Sequence, residues 1–215
     1  MDHLGQRLKD VRVRAGLTLR ELARQAEVSP SLVSQIENGK SQPSVATLYS
    51  FSRVLNVSVD ELFDDEPGLE VISPALAVSR PHSGEVNGYM DPVHAWQPSE
   101  YANRVSVAHP SHRPQLTMAE GVVWERLAAT PEHGVNFMKI AYAPGATSSA
   151  SGDRTTHDGY EYGFVVAGQV EVTVGDEVFL LHEGESVGFD SSIPHMLRNP
   201  GDHLFEGVWF VHGQH

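Results

Sequence analysis

Three side chains in the C-terminal half have the types and placement for metal chemistry. In "THDGYEYG" His157 and Glu161 stand four residues apart, and His195 follows Pro194 in "GESVGFDSSIPHMLRN". The even separation puts His157 and Glu161 on one side of an extended strand, and His195 belongs to a second predicted strand. Two imidazoles and one carboxylate converging inside a barrel form a 2-His-1-carboxylate triad, which leaves open positions on Fe(II). The same donors suit other divalent ions, so the expected cofactor is one divalent metal (Fe, Mn, Ni or Zn) on His157, Glu161 and His195. The alternative is that these side chains hydrogen-bond each other or wall a pocket for an organic effector. His82, His94, His109 and His112 fit no ligand spacing, and His182, His203, His212 and His215 fall in turns or at the terminus; all read as solvated.

The elements that must carry the triad are strands. Beyond residue 113 the runs "VVWERL", "VNFMKIAY", "GFVVAG", "QVEVTVG", "EVFLL", "SVGF" and "LFEGVWFV" are short, rich in Val, Phe and Tyr, and divided by turns. "VEVTVGDEVFLL" alternates and turns at Gly175-Asp176, the signal of a hairpin. Many short strands without helices imply a sandwich or barrel.

The N-terminal third has a different texture. Leu4, Leu8 and Val11 recur at helical spacing until Gly16. In "TLRE" Thr18 is the N-cap and Glu21 closes a capping box. Ser29 caps a third helix with Pro30 at its first position, where the missing N–H is harmless. That helix, "PSLVSQIEN", turns Val33 and Ile36 inward and Pro30, Ser31, Ser34 and Gln35 outward, and Gly39 ends it. Leu48, Phe51 and Leu55 mark a fourth helix, and Ser58 with Glu61 repeats the capping box before a fifth. Glu37 reads as a structural hydrogen-bonding group, and the basic residues of the first helix as a solvated face. Two short helices joined by a tight turn, the second with a polar outer face, form a helix-turn-helix able to enter a major groove.

Charge agrees with that division. The chain of 215 residues has a formal net charge of −13, which argues against nucleic acid as a whole. Residues 1 to 59, however, hold eight Lys/Arg against five acids. The acidity lies beyond them, so the first domain is fit to meet DNA while the remainder repels it. With no cysteine, disulfides and Cys-ligated metals are excluded. No apolar run approaches the roughly 20 residues of a bilayer span, so a soluble cytoplasmic protein is expected, with no membrane partner. From Asp64 to about Arg113 periodicity gives way to Pro, Ser, His and Gly, the texture of a linker followed by a peripheral arm.

The run from Gly16 to Phe63 resembles the xenobiotic-response-element family of phage-repressor-type DNA-binding domains. By position, the resemblance implies base contacts from Pro30, Ser31 and Gln35 and backbone contacts from Thr18, Asn38, Lys40 and Ser41. Gln35 alone offers a bidentate amide, suited to adenine N6 and N7. Glu27 stands where the family often has glycine, a source of strain in the turn, and Leu19 replaces a backbone-contacting glutamine.

The triad belongs to a second resemblance, to the cupin superfamily. His157, Glu161 and Gly168 keep its first motif, and Gly184, His195 and Asn199 keep its second, with Asp190 and Ser192 in place of the usual Pro and Gly. Thr155 occupies the position of a further histidine ligand. The resemblance implies a double-stranded β-helix, or jelly-roll, barrel.

The order of the two domains resembles bacterial transcriptional regulators in which a cupin senses a small molecule. It also resembles the mononuclear iron epoxidase type of fosfomycin biosynthesis, which places a helix-turn-helix-like domain before a His, Glu, His cupin. The intact recognition helix favours the regulator, and no cationic cluster stands near the barrel motifs to hold a phosphonate, for which Arg154 alone is weak support. The expectation is therefore a multidomain α-then-β protein. It has a five-helix DNA-binding domain at 1–66, a linker and arm at 67–112, and a cupin barrel sensor at 113–215. It would be a DNA-binding regulator with no catalytic residues; the iron oxygenase or epoxidase is the alternative. Its partners would be a double-stranded DNA operator, a small-molecule effector and a second copy in a homodimer.

Overall fold

A computed structural model of the chain describes residues 4–57, 59–63, 108–110, 113–128, 135–149 and 151–213. The Ser58 capping box, His82, His94, His112, His215 and nearly all of the expected linker and arm lie outside the described residues.

The N-terminal helices are α1 (Leu4–Arg14), α2 (Leu19–Gln25), α3 (Pro30–Glu37), α4 (Val45–Leu55) and α5 (Val59–Phe63). Of the five helices expected, four run for seven to eleven residues, and the last, expected to be short, spans only five. Local chemistry sets the boundaries. Thr18 Oγ1 accepts the Glu21 N–H at 3.2 Å while Glu21 Oε2 accepts the Thr18 N–H at 2.7 Å, completing the capping box. Ser29 Oγ caps α3 by accepting the Leu32 N–H, and Ser44 Oγ caps α4 by accepting the Thr47 N–H. Leu8, Leu22, Val33, Ile36, Leu48 and Phe51 are all 2% exposed or less and form the core these helices share. Gly5 lets α1 cross α3 closely, since a Cβ there would lie 2.3 Å from Ile36 O.

Arg12 departs from the expected solvated face. Its guanidinium donates to Glu37 at 2.5 and 2.9 Å and to Leu17 O at 2.9 Å, and the pair is nearly buried. A side chain on the inner edge of α1 thus reaches the end of α3, because the two helices cross so closely. Glu37 has the structural role expected of it.

Glu27, in the turn between α2 and α3, has φ 57°. Left-handed backbone is unfavourable for a residue with a Cβ, so this turn is strained. Glu27→Gly is expected to stabilise the chain by about 0.5–1 kcal/mol, after allowing for glycine's looser unfolded state. Urea titrations of the two proteins would check this, and a destabilised variant would refute it.

The β-domain has nine strands: β1 (Gln115–Thr117), β2 (Val122–Arg126), β3 (Val135–Tyr142), β4 (Tyr160–Ala167), β5 (Gln169–Val174), β6 (Glu177–His182), β7 (Ser186–Asp190), β8 (His195–Arg198) and β9 (Phe205–His212). They form an antiparallel six-stranded sheet, ordered β1-β2-β3-β9-β4-β7, and a three-stranded sheet, ordered β6-β5-β8. The expected Gly175-Asp176 hairpin joins β5 to β6, with Val174 opposite Glu177.

The expectation of a closed barrel is corrected. Among the described residues the two sheets are separate, and isolated bridges of Thr147 with Arg198 and Thr155 with His195 extend the edge at β8. Burial of alternate side chains on both inner faces suffices to pack the sheets, without a ladder running between them. Val122, Met138, Ile140, Val165, Val170 and Phe205 fill the space, each at most 2% exposed.

The helical and β parts touch through the start of α4. The Ala46 N–H donates to Ser148 O at 3.1 Å and the Ala119 N–H to Pro43 O at 2.9 Å. No helix among the described residues is long and apolar enough to cross a membrane.

Candidate functional site

Glu161 is the second residue of β4 and points inward, 4% exposed. His195 opens β8 and is 5% exposed. His157 lies in the loop before β4, not on a strand as the even spacing suggested. It reaches the same point because its N–H donates to Ser191 O at 3.1 Å, while Gly159, at φ 115°, bends the chain between it and β4.

The three ligand atoms lie within 4.8 Å of one another. His157 Nε2 is 2.8 Å and His195 Nε2 3.2 Å from Glu161 Oε1. The other ring nitrogens fix the tautomers. His195 Nδ1 sits 2.9 Å from Ile193 O, and His157 Nδ1 3.2 Å from Asp158 O. A carbonyl can only accept, so each Nδ1–H donates and the neutral ring turns the Nε2 lone pair toward Glu161.

Lone pairs facing a carboxylate repel unless a proton or a cation lies between them. The buried His157 Nε2 is off hydrogen-bond geometry and has no hydrogen-bond partner among the described residues. This orphaned nitrogen and the all-acceptor donor set fit a divalent cation, held by His157, Glu161 and His195.

Without a cation the site depends on protons. Burial pushes the Glu161 carboxyl up, but the close approach and charge of the His157 and His195 imidazoles outweigh it and hold it well below the usual carboxylate range. Burial depresses His195, yet Glu161 and Ile193 O together raise it above the ordinary imidazole value. Tyr142, buried beside this charge, has its phenol pushed well above the usual range by burial and by Glu161.

Glu161 is also held from behind. Trp209 Nε1–H donates to its Oε2 at 2.7 Å and Ser191 Oγ–H to its Oε1 at 3.3 Å. Trp209 lies opposite Gly163 across β9 and β4, and a Cβ on Gly163 would come 2.2 Å from the indole. Glycine at that position is what lets the indole lie flat and reach the carboxylate. Asn199 lies apart from the triad. It donates to Tyr142 O and His203 O and accepts the Gly201 N–H, stapling the loop after β8.

Glu161 and His195 line a cavity of about 30 Å³, walled further by Tyr142, Thr155, Trp124, Trp209, Ser148, aliphatic side chains, and Val45 and Tyr49 of α4. That volume suits one or two waters, or an ion with a water. Thr155 Oγ1, where a further ligand was anticipated, is buried and has no hydrogen-bond partner among the described residues.

Sequence reasoning missed Trp209, Ser191 and Tyr49. Trp209 and Ser191 are distant in sequence from Glu161 and carry no motif. Tyr49 had a readable signal: with Val45 it makes a second apolar stripe at i, i+4 on α4, beside the stripe of Leu48, Phe51 and Leu55.

At the other end of the helical domain, Pro30, Ser31 and Gln35 are exposed on one face of α3. Thr18, Asn38 and Lys40 are exposed and Ser41 is half-buried. The Asn38 side chain donates to Ser34 O at 2.7 Å, which closes α3. The Thr18 and Glu21 N–H groups are occupied by the capping box, leaving fewer donors for a phosphate than the helix start alone suggested. Among the other histidines, His182 and His203 are exposed as expected. His212 is half-buried and stacks with Tyr162, ring centroids 6.0 Å apart.

Two family models match the chain, Helix-turn-helix over residues 8–62 and Cupin domain over 138–211. The HTH-type transcriptional regulator SutR of Escherichia coli (strain K12) is 29% identical over 211 residues, covering 97% of this chain and 94% of that protein. The HTH-type transcriptional regulator PuuR of the same organism is 26% identical over 200 residues, covering 91% and 86%. The crystal structure of an HTH_3 family transcriptional regulator from Vibrio cholerae superposes with a TM-score of 0.61 at 19% identity, over 100% of this chain and 97% of that one, and shares its fold. The capped recognition helix, the inward His, Glu, His cluster and these matches along both halves lead to one conclusion: the chain belongs to the DNA-binding transcriptional regulators that join an N-terminal helix-turn-helix domain to a C-terminal cupin domain.

Proposed function

We infer that the cupin domain senses a small effector through one divalent metal (Fe, Mn, Ni or Zn) bound by His157, Glu161 and His195, and that this sensing sets operator affinity. The observation that carries the reading is the convergence of two Nε2 lone pairs on a buried carboxylate, directly beneath a helix of the DNA-binding domain. A bound metal would supply open coordination positions to an oxygen- or nitrogen-bearing effector. Trp209 and Ser191 orient the carboxylate, while Val45 and Tyr49 keep bulk water out.

Residues 1–66 are assigned to operator binding, 67–112 to a linker and arm, and 113–215 to sensing. Pro30, Ser31 and Gln35 would meet base edges, and Thr18, Asn38, Lys40 and Ser41 the phosphate backbone. Two copies would set their α3 helices about 34 Å apart in successive major grooves. The outer face of the larger sheet, with Phe137, Tyr162, Phe164 and Val166 all exposed, suits burial against that second copy. Work on operator DNA would take place in the cytoplasm.

An epoxidase acting on a phosphonate is disfavoured. Among the described residues no lysine or arginine lines the cavity, and the Arg154 guanidinium is engaged by Gly175 O and Asp176. The DNA half of the reading is tested with Gln35→Ala. Specific binding should fall by about 1–3 kcal/mol, while binding to unrelated duplex is nearly unchanged, because a bidentate amide reads a base and adds little to phosphate attraction. Fluorescence anisotropy at fixed salt measures both, and equal losses would remove Gln35 from base reading.

A further inference from the structure

Helix α4 is buried on two sides. Leu48, Phe51 and Leu55 join the helical core, while Val45 and Tyr49, one turn apart, cover the cavity of the β-domain. The Tyr49 ring lies flat on the His157 imidazole, centroids 4.4 Å apart at 8°, and meets Trp124 nearly edge-on at 6.0 Å. The two backbone hydrogen bonds from Ala46 to Ser148 and from Ala119 to Pro43 pin the same end of α4 to the β-domain. The contact between domains and one wall of the cavity are therefore one place.

Volume gives this contact its consequence. A cavity of about 30 Å³ admits an ion with a water. Pockets for organic ligands are typically about 300–1,000 Å³, so such an effector needs a wall to move, and Tyr49 with Val45 is the wall that the helical domain supplies.

We propose that Tyr49 is the lid of the sensor cavity, so that the DNA-binding domain supplies part of the effector site and occupancy of that site changes how the domain docks. This rests on the reading of the cavity as a sensor. A metal held by His157 would act on the ring against which Tyr49 lies, and a larger molecule would displace Tyr49 outright. Either event acts on α4, which packs against α2, and α2 packs against α3, so the lid reaches the recognition helix through the shared helical core. The change in operator affinity equals the difference in ligand affinity between docked and undocked arrangements.

The test uses the full chain, Co(II) as the probe, whose visible spectrum reports His and carboxylate ligation, and an operator duplex selected from random sequence. Wild type and Tyr49→Phe, which keeps the stack, should each change operator Kd at least about five-fold on Co(II) loading. Tyr49→Ala should give the same Co(II) spectrum, yet an operator Kd that moves less than about two-fold. A Tyr49→Ala protein that keeps the wild-type change, or a Co(II)-loaded wild type whose operator Kd does not move, overturns the proposal.

Failure of the sensor reading itself looks different, because wild type then takes up no Co(II) or selects no operator. In that event the lid is decided by diethylpyrocarbonate, read peptide by peptide in the metal-free chain. His157 should react on the order of ten-fold faster in Tyr49→Ala than in wild type or Tyr49→Phe, and equal rates overturn it.

Discussion

Replacing His195 with alanine is expected to lower divalent-metal affinity at least about 100-fold, since loss of a hydrogen-bonding partner behind a ligand already costs 10- to 100-fold and loss of a ligand costs no less. Wild type purified without oxygen and reconstituted with Fe, Mn, Ni or Zn should hold near one ion per chain, and His195→Ala close to none. Metal analysis after gel filtration measures this. Equal metal in both proteins, or none in wild type with any of the four ions, would sink the metal reading and leave the triad as the wall of an organic pocket.

Protons compete for the same site. His195 is raised above its ordinary value by Glu161, so metal must displace a proton there, and affinity should climb as pH rises through that raised pKa. The metal-free fold behaves oppositely at each end. The raised His195 contributes stability that is full below the unfolded histidine pKa of about 6.5 and lost as pH climbs through the folded value. The depressed Glu161 contributes stability that is full above the unfolded carboxylate pKa of about 4.3 and lost as pH falls through its folded value. A bound ion should remove the alkaline loss, which thermal melts with and without metal across that range would show.

The second large effect is on the DNA-binding domain. Glu37→Ala is expected to destabilise it by about 3 kcal/mol, the lower end of the range for breaking a buried ion pair, because Arg12 keeps a partly solvated edge. The loss has two parts: the bidentate bond that ties α1 to the end of α3, and a guanidinium left without its anion. Replacing both partners, as Arg12→Leu with Glu37→Leu, should recover most of the loss, since no unpaired charge remains. Far-UV circular dichroism in urea measures all three proteins. A cost below about 1 kcal/mol for Glu37→Ala would mean that the pair behaves as a surface salt bridge.

Much of the helical domain was legible because its signals are local. Thr18 with Glu21, Ser29 with Pro30, and Gly16 and Gly39 act on backbone within a few residues of themselves, so their types alone fix where helices start and stop. Glu27 stood out only through the family resemblance, as a side chain where glycine is usual, and the structure gives it a positive φ. The strands were legible from alternation, and the triad from residue types at motif spacing.

Other features depended on packing between segments far apart in the chain. Whether the β-domain closes into a barrel is set by how the sheets pair at their edges, which alternation does not encode. His157 and Glu161 meet through a loop bent at Gly159 and a bond to Ser191, so the even spacing reached the right partners by the wrong geometry. Trp209 reaches Glu161 only because Gly163 leaves room across the sheet, a coincidence of register between strands about 45 residues apart.

The sequence by itself determined the two domains, the outward face of α3 and the chemical types of the three ligands, because each rests on side chains acting near their own backbone. Only the tertiary structure decided that Arg12 is buried against Glu37, that the ring nitrogens of the triad face one carboxylate, and that Tyr49 of the DNA-binding domain lines the cavity and stacks on His157. Those three depend on which surfaces bury each other when the chain folds, and burial pairs residues by shape and charge without regard to their distance along the chain.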